Sequence, residues 1–118
     1  MAKEIVSQGS AHNALAQGTF IKGSIRAEED IRIDGIVEGD INCKGKVVVG
    51  AKGEVHGRII CESAEFLGKV EGDIEVFNKV SFKQTAIFQG NLTTKALDIE
   101  PGATFNGTCK MGEENVPV

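Results

Sequence analysis

Six copies of a five-residue pattern, apolar-x-Gly-x-apolar, follow one another along this chain. Their central glycines lie 15 to 18 residues apart and are Gly23, Gly39, Gly57, Gly72, Gly90 and Gly107. A unit this short cannot bury its apolar residues alone, so successive copies must stack to share one core. The repeat therefore predicts a solenoid, and a length of 118 residues leaves room for one domain.

A second apolar pair with strict alternation lies between successive glycine copies. The pairs are Ile31 and Ile33, Val47 and Val49, Ala64 and Phe66, Val80 and Phe82, and Leu97 and Ile99. Apolar residues at every second position, many of them β-branched or aromatic, indicate strands. Equivalent strands of stacked copies would pair in parallel about 4.8 Å apart. We therefore predict an all-β protein, a parallel β-helix of about five to six coils, roughly 25–30 Å long.

The repeat sets the predicted domain boundaries. It runs over residues 19–111 and is assigned to the β-helix. Residues 1–18 and 112–118 carry no repeat and are expected to be flexible tails. No flanking segment is long and apolar enough to cap an open end of the stack, so both ends are expected to be open.

Open ends of a β-helix expose unpaired strand edges above an apolar core, and such edges favour further pairing. End-to-end self-association is therefore the expected behaviour of this chain. The residues expected at the two contacts lie in the first and last glycine copies or directly beside them: Phe20, Ile21, Ile25, Phe105, Cys109 and Met111.

Residues that could carry chemistry are few. His12 and His56 belong to no metal-binding motif, and the sequence has no nucleophile elbow, phosphate-binding loop or dinucleotide fingerprint. Cys43, Cys61 and Cys109 fall in register with the repeat, where a free cysteine acts as a small apolar residue. We therefore expect no catalytic residue, no metal and no cofactor.

Charge and composition restrict the partners. The net charge is −4 with interspersed signs, and the chain has no Trp or Tyr, so nucleic acid is not an expected partner. No stretch is apolar enough to span a membrane and the N-terminus lacks a signal-peptide core, so a cytoplasmic location is expected. His56 lies between Glu38 and Glu71 of adjacent coils, a column we interpret as surface charge pairing rather than a site.

Two other functions stay open at this point. Residues 49–55 resemble one hexapeptide of the left-handed β-helix acyltransferases, although the apolar steps here vary among four, five and six residues. A soluble binding module that displays a flat β face is the second alternative. Sedimentation separates it from a scaffold, because a scaffold forms large assemblies.

The repeat region also resembles a known family. Residues 31–41, residues 46–50 and the closing segment 102–111 are similar to the bactofilins, bacterial cytoskeletal proteins. This resemblance implies a right-handed β-helix that polymerises through its ends, without nucleotide, into non-polar filaments. It also implies a scaffold for cell shape or for placing cell-envelope and cell-wall enzymes, with Phe105 at a polymerisation end. Many relatives bind the inner face of the membrane through an apolar, basic N-terminal peptide; residues 1–4 depart from that pattern, which leaves membrane association open.

Overall fold

The computed structural model describes residues 12–111, and its regular structure is entirely β. Every strand pair in it is parallel. The nine strands are β1 (His12–Leu15), β2 (Phe20–Ala27), β3 (Asp30–Ile33), β4 (Ile36–Cys43), β5 (Lys46–Val49), β6 (Glu54–Phe66), β7 (Lys69–Phe82), β8 (Ile87–Ile99) and β9 (Thr104–Met111).

The chain winds into a parallel β-solenoid of about six turns, as the repeat predicts. Each coil contains one segment centred on a repeat glycine and one segment that carries an alternating apolar pair. In β6, β7 and β8 the two segments form one continuous strand. The segments stack in register from coil to coil, so the six glycines form a column along the axis.

The glycine column is required by the backbone. Gly57 adopts a φ of +141°, a conformation that L side chains rarely adopt. A Cβ at Gly57 would overlap the carbonyl oxygen of Gly39 in the preceding coil. Only glycine fits at such a position, because each coil lies directly against the coil before it.

The inward rows of the coils form one continuous core. One row begins at Ile21 and ends at Phe105, and the next begins at Ile25 and ends at Cys109, both as the spacing predicts. Aromatic rings concentrate towards the C-terminal end, where Phe82 lies 5.4 Å from Phe66 and 5.5 Å from Phe88, measured between ring centroids.

The first coil begins earlier than the sequence predicts. Residues 12–18 are assigned above to a tail, but His12–Leu15 is a strand that pairs with β3. Leu15 is 4% exposed, and Asn13 is 8% exposed with its side-chain amide donating to the carbonyl of Asp30. Because Asn13 is polar, the sequence of this strand does not show the apolar alternation of the other inward pairs. Asn13 can occupy an inward position because its amide donates to a neighbouring strand. The predicted flexibility of residues 1–11 and 112–118 lies outside the described residues.

Candidate self-assembly interface

Both ends of the solenoid present strand edges that have no pairing partner among residues 12–111. At the C-terminal end β9 pairs only with β8, and residues 96–99 of β8 pair only with β7. At the N-terminal end β1 pairs only with β3, and β2 only with β4. Each end therefore offers backbone donors and acceptors to a further strand.

The C-terminal end face is partly apolar. Phe105 is half-buried, with its ring 4.9 Å from Phe88 and 5.6 Å from Phe82. Cys109 is exposed, and Met111 is 50% exposed. These three predicted residues lie together on β9, the last described strand, and they end the inward rows of the core.

A further residue at this face is absent from the predicted set. Ile99 closes the row that contains Phe66 and Phe82, and it is 43% exposed. The sequence carried a signal for it, because the pair Leu97 and Ile99 is the last of its kind and no later pair covers it. We name the surface formed by Leu97, Ile99, Phe105, Cys109 and Met111 the C-terminal end face.

The N-terminal end is less exposed. Ile21 and Ile25 are half-buried and begin the two inward rows, as predicted. A Cβ at Gly23 would meet no atom within 4 Å, in contrast to Gly57. The glycine column is therefore open at this end.

Phe20 does not lie in an inward row. It pairs with Ile36 on the outer surface of the coils and is 56% exposed. The alternation explains this orientation, because Ile21 is the inward residue and its neighbour must face outward. Phe20 therefore faces the side of the rod, on the strand β2 that forms a free edge of the N-terminal end.

The outer surface of the middle coils carries a histidine between two carboxylates. His56 Nε2 lies 3.1 Å from Glu54 Oε1, and His56 Nδ1 lies 2.9 Å from Glu71 Oε1. Two ring nitrogens that both donate to carboxylates belong to an imidazolium. The hydrogen bond with Glu54, with that of Glu71 adding to it, raises the pKa of His56 above its usual value.

The buried thiols serve the corners of the coils. Cys61 Sγ donates to the carbonyl of Ser63 at 3.1 Å, and Thr94 in the same row donates to that of Ala96 at 3.1 Å. Burial raises the pKa of Cys61 to about 12. In the part of the chain that the structure describes, no cluster of three or more His, Cys, Asp or Glu could hold a metal ion, and no helix could cross a membrane.

Comparison with known proteins gives one consistent result. The family model "Bactofilin: Polymer-forming cytoskeletal" matches residues 13–110. The chain is 31% identical over 101 residues to Bactofilin BacO of Myxococcus xanthus, which covers 86% of this chain and 80% of that protein. It is 26% identical to Bactofilin BacP of the same organism over 95% of this chain, but it spans only 47% of BacP.

Two solved structures share the fold. One is a cryo-EM reconstruction of Thermus thermophilus bactofilin double helical filaments, with a TM-score of 0.82 and 35% identity over 85% of this chain and 99% of that one. The other is a crystal structure of an F105R mutant of the Thermus thermophilus bactofilin, with a TM-score of 0.71 and 34% identity over 75% of this chain and 98% of that one.

Proposed function

The chain belongs to the bactofilin family of polymer-forming cytoskeletal proteins, and from that premise we propose that it assembles end to end into non-polar filaments without nucleotide. It is a structural protein and not an enzyme, so the acyltransferase alternative no longer applies. The proposed polymer is a homopolymer in which the solenoid core continues from one subunit to the next.

The C-terminal end face is the observation that carries this proposal. Its half-buried Phe105 and exposed Cys109 and Met111 end the core rows, and among residues 12–111 no further coil lies above them. Burying this apolar surface against a second copy stabilises the contact through the hydrophobic effect. The free edge of β9 adds backbone hydrogen bonds to the same contact.

The charges at the two ends favour contacts between like ends. The outer residues of the last coil are mostly uncharged, with Asn106 and Thr108 beside the single cation Lys110. Two such C-terminal faces can therefore meet with little repulsion. The first coil carries both signs, with Arg26 followed by the acidic residues 28–30, so two N-terminal faces can form opposite-charge pairs.

Sedimentation and electron microscopy of the purified protein test the assembly. We expect filaments in plain buffer, unchanged in amount by ATP or GTP with magnesium. A fragment of residues 12–111 should form the same filaments if the tails are not part of the contact. A folded protein that stays monomeric or dimeric at all concentrations would contradict the proposal and favour the soluble binding module.

The native cysteine in the C-terminal end face tests the polarity. In a non-polar filament two C-terminal faces meet, and a short bifunctional thiol cross-linker joins two copies through Cys109. In a polar filament successive Cys109 residues are one subunit apart, about 29 Å for six coils, and such a linker cannot reach. Covalent dimers that vanish with Cys109→Ser support non-polar contacts, because Cys43 and Cys61 are buried. The absence of dimers in intact filaments would contradict them.

We also propose that the filament supports cell shape or the placement of cell-envelope and cell-wall enzymes. It would act from the cytoplasm, and at the inner face of the membrane if the filament binds membrane. The family membership supports a cytoskeletal role of this kind. Deletion of the gene should change cell shape or redistribute a cell-wall enzyme, and Phe105→Arg should reproduce that phenotype if the filament, and not the single subunit, acts. A deletion strain with normal shape and normal enzyme distribution would contradict this role.

A further inference from the structure

The last described strand contains the one Asn-Gly dipeptide of the sequence, formed by Asn106 and Gly107. Asn106 precedes the glycine of its coil directly. The residues at the same place in the earlier coils are Lys22, Glu38, His56, Glu71 and Gln89. An asparagine followed by glycine is suited to an intramolecular reaction, because the glycine has no Cβ to hinder the approach of its main-chain nitrogen to the asparagine side chain.

The N–H group of Gly107 points away from the stack of coils. Alternate residues of a strand direct their main-chain groups to opposite sides of the strand. The N–H of Thr104 donates to the carbonyl of Ala86 in the preceding coil, at 2.9 Å. Asn106, two residues later, therefore bonds to β8, whereas Gly107 directs its N–H to the outer side. Among residues 12–111 no strand lies on that side, because β9 pairs only with β8.

The side chain of Asn106 is accessible and unrestrained. It is exposed, and within residues 12–111 its amide forms no hydrogen bond. Asn91 in the preceding coil differs, because its amide nitrogen donates to Asp73 Oδ1 at 3.0 Å and its amide oxygen accepts from Thr108 at 2.7 Å. Of these two neighbouring asparagines, only Asn106 is free to turn towards its own main chain.

We propose that Asn106 is a site of spontaneous deamidation, in which the main-chain nitrogen of Gly107 attacks the side-chain carbonyl carbon of Asn106. A bond forms between Gly107 N and Asn106 Cγ, and the bond between Cγ and Nδ2 breaks. The side-chain nitrogen leaves as ammonia and takes the proton that the Gly107 amide loses. The product is a five-membered succinimide, which adds water at either of its carbonyl carbons and opens to aspartate or to isoaspartate. Water is the only co-reactant.

The preceding coil shows why the reaction is confined to the last one. Gln89 and Gly90 occupy the equivalent positions in β8. Glutamine is one methylene longer, so its ring closure must fix one more side-chain torsion. Gly90 also lacks a free N–H, because its register with Gly107 directs that N–H to the carbonyl of Asn106 in β9. A second copy bound to the free edge of β9 would protect Gly107 in the same way.

The products would weaken the contact between subunits, a consequence that rests on the end-to-end assembly proposed above. Aspartate places a carboxylate beside the contact, and two C-terminal end faces that meet would each carry one. Isoaspartate also adds a methylene group to the main chain, whereas β9 pairs with β8 in unbroken register on both sides of Gly107. Free C-terminal end faces therefore lose their capacity to assemble with time, and occupied ones are protected.

Peptide mapping after incubation at pH 8 tests the reaction. Trypsin releases Asn106 in the peptide 96–110 and Asn91 in the peptide 84–95, so the two asparagines are measured separately. In unassembled Met111→Arg protein we expect Asn106 to gain the mass of an NH2-to-OH exchange, with isoaspartate as one product, while Asn91 stays intact. In wild-type filaments the conversion should be about fivefold slower, because a hydrogen bond from Gly107 to the second copy must first open.

A second asparagine in the preceding coil is the matched control. Gln89→Asn in the Met111→Arg background creates an Asn-Gly dipeptide whose glycine N–H faces β9, and it should stay intact while Asn106 reacts. Two variants at the site itself test the effect on assembly by sedimentation. Asn106→Asp carries the charge of one product and should raise the protein concentration needed for filaments, whereas Asn106→Gln keeps a neutral amide and should assemble like wild type.

Each outcome bears on one step. If Asn106 stays intact in folded Met111→Arg protein while the urea-unfolded protein deamidates, the site is refuted. Equal conversion at the Gln89→Asn position, or in filaments and unassembled protein, would refute the role of the free edge. If Asn106→Asp assembles like Asn106→Gln, the effect on assembly is refuted. A wild-type protein that forms no filament would overturn the proposed function, and the peptide map would still measure the reaction.

Discussion

Replacing Phe105 with arginine should stop polymerisation at the C-terminal end face and leave the solenoid folded. The Phe105 ring packs against Phe82 and Phe88 on one side only, because no coil lies above β9 in the described part of the chain. Truncating a fully buried Phe costs about 3–5 kcal/mol. Phe105 is only half-buried and the arginine stem retains part of its packing, so the loss of fold stability should lie below that range.

The cost at the contact is larger. A guanidinium enclosed between two subunits without a partner is an uncompensated buried charge, which costs about 3–5 kcal/mol. That free energy weakens the contact by roughly two to four orders of magnitude. In a contact between two C-terminal faces both copies contribute a cation, so the repulsion adds to the desolvation.

The size of the remaining particle reports the polarity of the filament. If filaments are non-polar, Phe105→Arg blocks one of two kinds of contact and leaves dimers joined through their N-terminal ends. If filaments are polar, the same change leaves monomers. Velocity sedimentation distinguishes these species, and circular dichroism confirms that the strands persist.

Three further variants make the experiment decisive. Phe77→Arg is the matched control, because Phe77 is 56% exposed on the fourth coil, and it should polymerise like wild type. Met111→Arg places a charge on the same end face with little loss of core packing. It replaces Phe105→Arg as the test of the contact if Phe105→Arg does not fold. Phe105→Leu should retain filaments. Long filaments in both arginine variants at the end face would refute the reasoning.

Further expected outcomes concern stability and reactivity. Gly57→Ala should lower the melting temperature far more than Gly23→Ala. Both positions have a positive φ, but only the methyl group added at Gly57 would overlap the preceding coil. The reverse order in thermal unfolding would contradict the stacking. His56 has a raised folded pKa, so its stabilisation is complete below its unfolded pKa of about 6.5 and is lost as pH rises through the folded value. Urea midpoints should therefore fall between pH 6 and pH 8, and His56→Gln should remove most of that fall; an unchanged slope would show that the ion pair with Glu54 contributes nothing. Cys61 is buried with a pKa of about 12. The non-polymerising Phe105→Arg protein at pH 8 should therefore alkylate first at one thiol per chain, the exposed Cys109 on the last strand. Mass spectrometry that finds two or three modified thiols in the folded protein would contradict the burial.

Much of the fold could be predicted because a solenoid repeats its own environment. Once Val55 is inward, a residue at the same offset from the next glycine must be inward as well, so one periodicity fixes every row. The same logic placed Phe105 at the end of its row, and the structure agrees. The glycine column could also be predicted from spacing, although its cause, the contact between Gly57 and the preceding backbone, needs coordinates.

The first coil and the corners could not be predicted from the hydropathy pattern, because hydrogen bonds determine which residues fit at these positions. Asn13 occupies an inward position because its amide reaches the carbonyl of Asp30. Cys61 and Thr94 satisfy corner carbonyls, so the row that they share reads as merely small and mixed in the sequence. Exposure at the end face depends on which coil is last. The sequence shows that Leu97 and Ile99 are the last apolar pair, but the 43% exposure of Ile99 is visible only in the structure.

The alternating charges of the outer columns bear on both folding and assembly. Coils that resemble one another can stack in the wrong order, and a coil that skipped its neighbour would place Glu38 against Glu71 instead of against His56. Like charges directly opposed across strands are destabilising, so the alternation disfavours that error. The last coil lacks this protection, because its outer residues Asn106 and Thr108 are uncharged. The coil that we propose accepts a second copy is thus the one whose outer residues least disfavour pairing with another strand.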